Sequence, residues 1–150
     1  MMNEGIMGRT EKIEPYQIIW LVRRLFRAMA QKSTENLEGL GVSVADRAVL
    51  EFLHPDKRLT VPEIAERYQV TRQHVQVTVN SLLDKALVIT EPNPRHKRSS
   101  LIVLNDSGRR LFASILAQDK EAFEVLFAEI STQDIRITAQ TLQSLLNKLN

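Results

Sequence analysis

Gln73, Gln76, Val77 and Asn80 recur at separations of three and four, so on a helix they share one face, with Arg72 and His74 beside them and Thr71 just ahead. An amide side chain pairs a hydrogen-bond donor with an acceptor, the combination that an adenine edge presents in the major groove of DNA. An exposed Val packs on a thymine methyl, and Arg reaches a guanine or a phosphate. The bland alternative is a solvated helix face, on which amides are common. A second cluster follows, in which Arg95, Lys97 and Arg98 sit close behind Pro92 and Pro94. Such cations neutralise phosphates or enter a minor groove, although a charged loop tip also protects edge strands from aggregation.

Periodicity and capping identify the elements that must hold these groups. Ile18, Leu21, Val22, Leu25, Phe26 and Met29 predict a first amphipathic helix over 15–32. Ser43 and Asp46 have the spacing of a capping box and start a second helix, which Pro55 stops at about His54. Thr60 and Glu63 repeat the box with Pro62 in the first turn, starting a short third helix that ends near Tyr68. Residues 69–71 form a turn, and Thr71 caps a fourth helix running to about Lys85, with Val75, Val79, Leu82 and Ala86 facing inward. Two short helices across so tight a turn make a helix-turn-helix.

Beyond Ala86 the pattern changes. Residues 87–91 and 100–104 are rich in Leu, Val and Ile and have strand length, while the prolines between them forbid a helix. The prediction is a hairpin with a basic tip, a wing. A fifth helix is expected over 106–130, carrying Leu111, Phe112, Ile115, Leu116, Phe123, Leu126 and Phe127. Ser131 and Asp134 then open a sixth, with Leu142, Leu145, Leu146 and Leu149 on one side. The predicted fold is therefore mainly α with a small β wing, a winged helix-turn-helix, in one domain.

Composition narrows the function. With 150 residues, 43% of them hydrophobic, the chain can bury a core without staples. No run approaches the roughly 18 apolar residues of a membrane span, the first ten residues lack an apolar stretch of signal-peptide length, and Cys is absent, so a cytoplasmic location is expected. Absence of Cys also excludes thiol-based metal or redox sensing. His54, His74 and His96 lie far apart, and neither a phosphate-cradling glycine loop nor a nucleophile motif is present, so no enzyme, cofactor or metal is expected. Charge is polarised: over 93–110 five cations face Asp106 alone, whereas over 118–134 five carboxylates face Lys120 alone. A basic segment kept apart from an acidic one suits docking on phosphates.

Residues 59–66, then 70–75, then 82–88 resemble the supporting helix, recognition helix and wing entry of the MarR (multiple antibiotic resistance regulator) family. Residues 93–98 and 104–108 resemble that family's wing and its exit. The resemblance implies a sequence-specific regulator of transcription, commonly a repressor, that binds an inverted repeat in double-stranded DNA as a homodimer. It implies winged helix-turn-helix residues 43–104, with dimerisation helices at 13–38 and 106–150, and a small aromatic or anionic effector whose pocket residues it does not identify. Two positions depart from the family pattern. His96 stands where an Asp commonly steadies the wing arginine, here Arg98, and Ala86 replaces the glycine that usually ends the recognition helix, so that helix is expected to lack its left-handed cap. The alternative is a winged helix that binds a protein partner without reading DNA.

Overall fold

A computed structural model describes residues 12–149, which run α1 (Pro15–Leu37), α2 (Val44–Leu53), α3 (Val61–Tyr68), α4 (Arg72–Asp84), β1 (Val88–Glu91), β2 (Leu101–Leu104), α5 (Asp106–Phe127) and α6 (Thr132–Leu149). The expectation about residues 1–10 lies outside the described residues. The chain divides into two compact units, residues 1–48 and 49–150.

In the first unit, α1 starts behind a capping box in which the Glu14 N–H donates to Gln17 Oε1 at 2.9 Å. It continues past the predicted end at residue 32. Its last turns lack the apolar period but are tied by Thr34 Oγ1 donating to the Ala30 carbonyl at 3.0 Å and by a Lys32–Glu35 ion pair at 3.6 Å. Gly39 and Gly41, both at positive φ, lie in the turn that follows. Reciprocal bonds between Ser43 and Asp46, at 2.9 and 3.1 Å, start α2 as expected.

The second unit holds the main core. Val49, Leu50 and Leu53 of α2, Ile64 of α3, Val75, Val79 and Leu82 of α4, Leu104 of β2 and Phe112 of α5 are all buried. Each such side chain contributes roughly 1.5–3 kcal/mol. β1 and β2 pair antiparallel from Val88↔Leu104 to Glu91↔Leu101, and Leu59 adds a bridge to Ile102. Arg58 clamps the hairpin through Glu91 at 2.9 Å.

α5 is capped by Asn105, whose Oδ1 accepts from the Gly108 N–H at 2.8 Å. It ends at Phe127, short of the predicted residue 130, because the last carbonyls are taken up by turn bonds from Ala128 and Ile130. Ser131 Oγ accepts from the Asp134 N–H at 3.1 Å and so caps α6. Apolar side chains remain exposed along α1, the C-terminal half of α5 and α6, among them Phe26 at 73% and Leu126 at 67%, and α6 buries no residue. No described helix is long and apolar enough to cross a membrane.

Candidate nucleic-acid interface

The turn into α4 is built residue by residue. Thr60 and Glu63 close a reciprocal box at the start of α3: the Thr60 N–H donates to Glu63 Oε2 at 2.7 Å, and Thr60 Oγ1 accepts from the Glu63 N–H at 3.4 Å. Those bonds from Thr60 hold the Glu63 carboxyl below its usual range; burial opposes them, while Arg67 and the wing residue Arg95 reinforce them. At the other end of α3, Gln69 adopts φ +57, and the Val70 N–H reaches back to the Ala65 carbonyl at 3.2 Å. Thr71 is extended and accepts from the His74 N–H at 3.1 Å, starting α4 immediately.

Burial decides how α4 is rotated. Val75, Thr78, Val79 and Leu82 are buried, and Thr78 satisfies its hydroxyl by donating to the His74 carbonyl at 3.0 Å. Rotating the helix would expose that apolar stripe, so the opposite face is fixed outward. Arg72, Gln73, His74, Gln76, Val77 and Asn80 are all exposed there, with Thr71 exposed at the cap. Val77 is 64% exposed. Gln76 Nε2 donates to Asn80 Oδ1 at 2.9 Å.

Ala86 differs from expectation. It lies beyond the end of α4 and is exposed, so it takes no part in the inward face. It also adopts φ +53, with its N–H on the Leu83 carbonyl at 2.9 Å and the Leu87 N–H on the Leu82 carbonyl at 3.0 Å. That is the Schellman pattern, so the left-handed cap forms without glycine. The driving force is distant in sequence: Asn105 Nδ2 donates to the Ala86 carbonyl at 2.6 Å, and Leu87, which follows, is buried.

The wing tip carries Arg95, Lys97 and Arg98, all exposed. Its path is set by Asn93 Oδ1 accepting from the Arg95 N–H at 3.0 Å and by the Ser99 N–H donating to the His96 carbonyl at 3.1 Å. His96, the residue in place of the usual Asp, thus supports the turn through its backbone. Arg58 and Arg109 are spent on carboxylates, but Arg72, Arg95, Lys97 and Arg98 make no ion pair among the described residues. Arg72, Gln73, Gln76 and Arg98 line one groove of about 540 Å³ together with Pro62 at the start of α3, Leu83 of α4 and Thr90 and Ile102 of the wing strands. Ser99 and Ser100 also line it and escaped the sequence reading, since only their place after the wing cations marked them. His74, Val77, Asn80, Arg95 and Lys97 lie outside that groove. Among the described residues no cluster of His, Cys, Asp or Glu could hold a metal.

The MarR family model matches residues 40–99. An uncharacterised protein of Mycobacterium tuberculosis is 45% identical over 60 residues, 40% of this chain, and the chain spans 42% of the length of that relative. The HTH-type transcriptional repressor MdtR of Bacillus subtilis is 30% identical over 127 residues, 82% of each chain. The crystal structure of Streptococcus pneumoniae FabT in complex with DNA superposes with a TM-score of 0.80 at 17% identity, covering 91% of this chain and 97% of that one, and so shares the fold.

Proposed function

The chain belongs to the MarR family, and from that premise we propose that it is a DNA-binding regulator of transcription, a repressor that occupies an inverted repeat as a homodimer and has no catalytic step of its own. Residues 43–104 are its winged helix-turn-helix, and 13–38 with 106–150 supply the dimerisation helices. α4 enters the major groove, where Thr71, Arg72, Gln73, His74, Gln76, Val77 and Asn80 meet bases and phosphates, while Arg95, Lys97 and Arg98 reach the adjacent minor groove or backbone.

One observation carries this reading. A helix locked by a buried stripe turns its amides, an exposed Val and an Arg outward beside a wing whose three cations are not spent on ion pairs. The unburied apolar faces of α1, α5 and α6 support a dimer, since patches of that kind are covered in working assemblies. Two-fold symmetry then sets half-sites about 10 bp apart on one side of the duplex. A small aromatic or anionic effector that changes the half-site distance completes the proposal, on family grounds, as does a cytoplasmic location.

Selection from a random duplex library at two salt concentrations, with the oligomeric state measured in the same buffer, tests it. Enrichment of an inverted repeat by a dimer, with affinity falling steeply as salt rises, is expected. No enrichment and no salt-sensitive binding would contradict it and leave a winged helix whose partner is a protein.

A further inference from the structure

We propose that Arg72 and Arg98, with Ser99 and Ser100, seat one phosphate of the DNA backbone in the groove that they line, so that Arg98 is a backbone clamp and the minor groove is left to Arg95 and Lys97. The proposal rests on the reading of α4 as the base-reading helix. The family pattern makes Arg98 the arginine of the minor groove, yet Arg98 lines the same groove as Arg72, whereas Arg95 and Lys97 lie outside it. The two grooves of a duplex are separated by a sugar–phosphate strand. A protein that lays a helix in one groove and a hairpin in the next therefore carries that strand against the surface joining helix to hairpin. In this chain that surface is the groove lined by α4 and the wing.

Its lining has the composition of an anion site. Arg72 comes from α4, Thr90 from β1, and Arg98, Ser99 and Ser100 from the segment that enters β2, and no carboxylate is among the lining residues. Neither arginine makes an ion pair among the described residues, and the Ser99 and Ser100 hydroxyls make no hydrogen bond among them. Two like charges lining one groove repel each other, and an anion held by both turns that repulsion into attraction. A guanidinium fork matches two phosphate oxygens, and hydroxyls donate to those that remain. The Ser99 N–H is committed to the His96 carbonyl at 3.1 Å, which holds the backbone that carries Arg98. Gln73, next to Arg72, lines the same groove, so a phosphate seated there sets the register of the amide face on the bases without carrying sequence information itself.

The test uses the full-length protein and the operator it enriches, with each half-site phosphate in turn replaced by an uncharged methylphosphonate. One such replacement should cost the wild-type protein about tenfold in affinity, and the same replacement should cost less than about threefold in both Arg72→Ala and Arg98→Ala, each at an exposed position. Arg95→Ala and Lys97→Ala should leave the loss at that phosphate in place. In library selection Arg98→Ala should keep the wild-type consensus, any A·T preference beside the half-site included. If Arg72→Ala and Arg98→Ala silence different phosphates, or none, the shared seat is overturned while α4 remains the reader. Loss of a flanking A·T preference in Arg98→Ala would also overturn it, by placing Arg98 in the minor groove. Titration of the DNA-free protein with inorganic phosphate separates the other source of this anion: saturable binding abolished by both variants, with no backbone phosphate silenced by both, would make the groove a free anion's site and overturn the assignment to DNA. A wild-type protein that enriches no sequence would remove the base-reading premise, and the seat with it.

Discussion

Asn105 Nδ2 lies 2.6 Å from the carbonyl oxygen of Ala86, so the residue that caps α5 also holds the left-handed turn that ends α4. One amide therefore ties α4 to α5, the helix that follows the wing. A non-glycine residue in the left-handed region costs roughly 1–2 kcal/mol, and Ala86 bears that cost because both its neighbours in space are fixed.

Ala86→Gly should accordingly stabilise the protein by about 0.5–1 kcal/mol, the relieved strain being partly offset by the greater freedom of glycine in the unfolded chain. Asn105→Ala should destabilise it by roughly 1–2 kcal/mol, chiefly through the lost cap, with the lost bond to the Ala86 carbonyl adding to it. Urea unfolding of the two variants checks both signs.

Gly108 sits against the same turn. A Cβ there would collide with the carbonyl oxygen of Leu87, which is backbone and cannot swing aside. Gly108→Ala should cost on the order of 3 kcal/mol, as overpacking at rigid sites does, and lower the melting temperature far more than alanine at the neighbouring exposed Ser107. Equal melting temperatures would show that the turn yields.

Glu63 predicts an acid-sensitive contribution. Its folded pKa lies below the ordinary value of 4.5, chiefly because of the bonds from Thr60. The carboxylate therefore contributes stability above about pH 4.5, and that contribution is lost as pH falls through the lower folded value. Glu63→Gln should be less stable than the wild-type protein at pH 7, with the gap narrowing as pH falls below about 4.5. Unfolding curves across that range measure it, and a gap independent of pH would contradict the charge assignment.

The wing cations predict a salt signature. Alanine at Arg95, Lys97 or Arg98 should weaken binding to all sequences alike and lower the slope of log affinity against log salt by about 1 per protomer. A change of sequence preference without a change of slope would point instead to base contacts by that residue.

Phe26→Glu or Leu126→Glu, placed on exposed apolar faces, should leave each chain folded but dissociate the dimer and cost most of the affinity for an inverted repeat. Sedimentation with circular dichroism distinguishes dissociation from unfolding, and a wild-type protein that is monomeric at micromolar concentration would refute this role of the helices.

What could be read from the sequence was local. Ser43 with Asp46 and Thr60 with Glu63 carry both partners of a cap within one turn, so α2 and α3 start where expected. The face of α4 was legible because burial follows helical spacing. α1 outran its prediction because its last turns are held by polar bonds, such as Thr34 to Ala30, that leave no apolar period. The cap at Ala86 was misread for a different reason. Its cause, Asn105, lies beyond the wing, and no local pattern announces a bond formed only when the hairpin closes. The groove shared by Arg72 and Arg98 is likewise a product of that closure.

The most direct test of base reading by α4 is the affinity of the dimer for its selected operator when each half-site purine in turn is replaced by its 7-deaza analogue, which removes the major-groove N7 acceptor and keeps base pairing. A loss of about tenfold at one or more purines, abolished in protein carrying alanine at Arg72, Gln73, Gln76 or Asn80, is the predicted result. Unchanged affinity at every purine would contradict the bidentate reading of adenine and guanine edges that this account assigns to the helix.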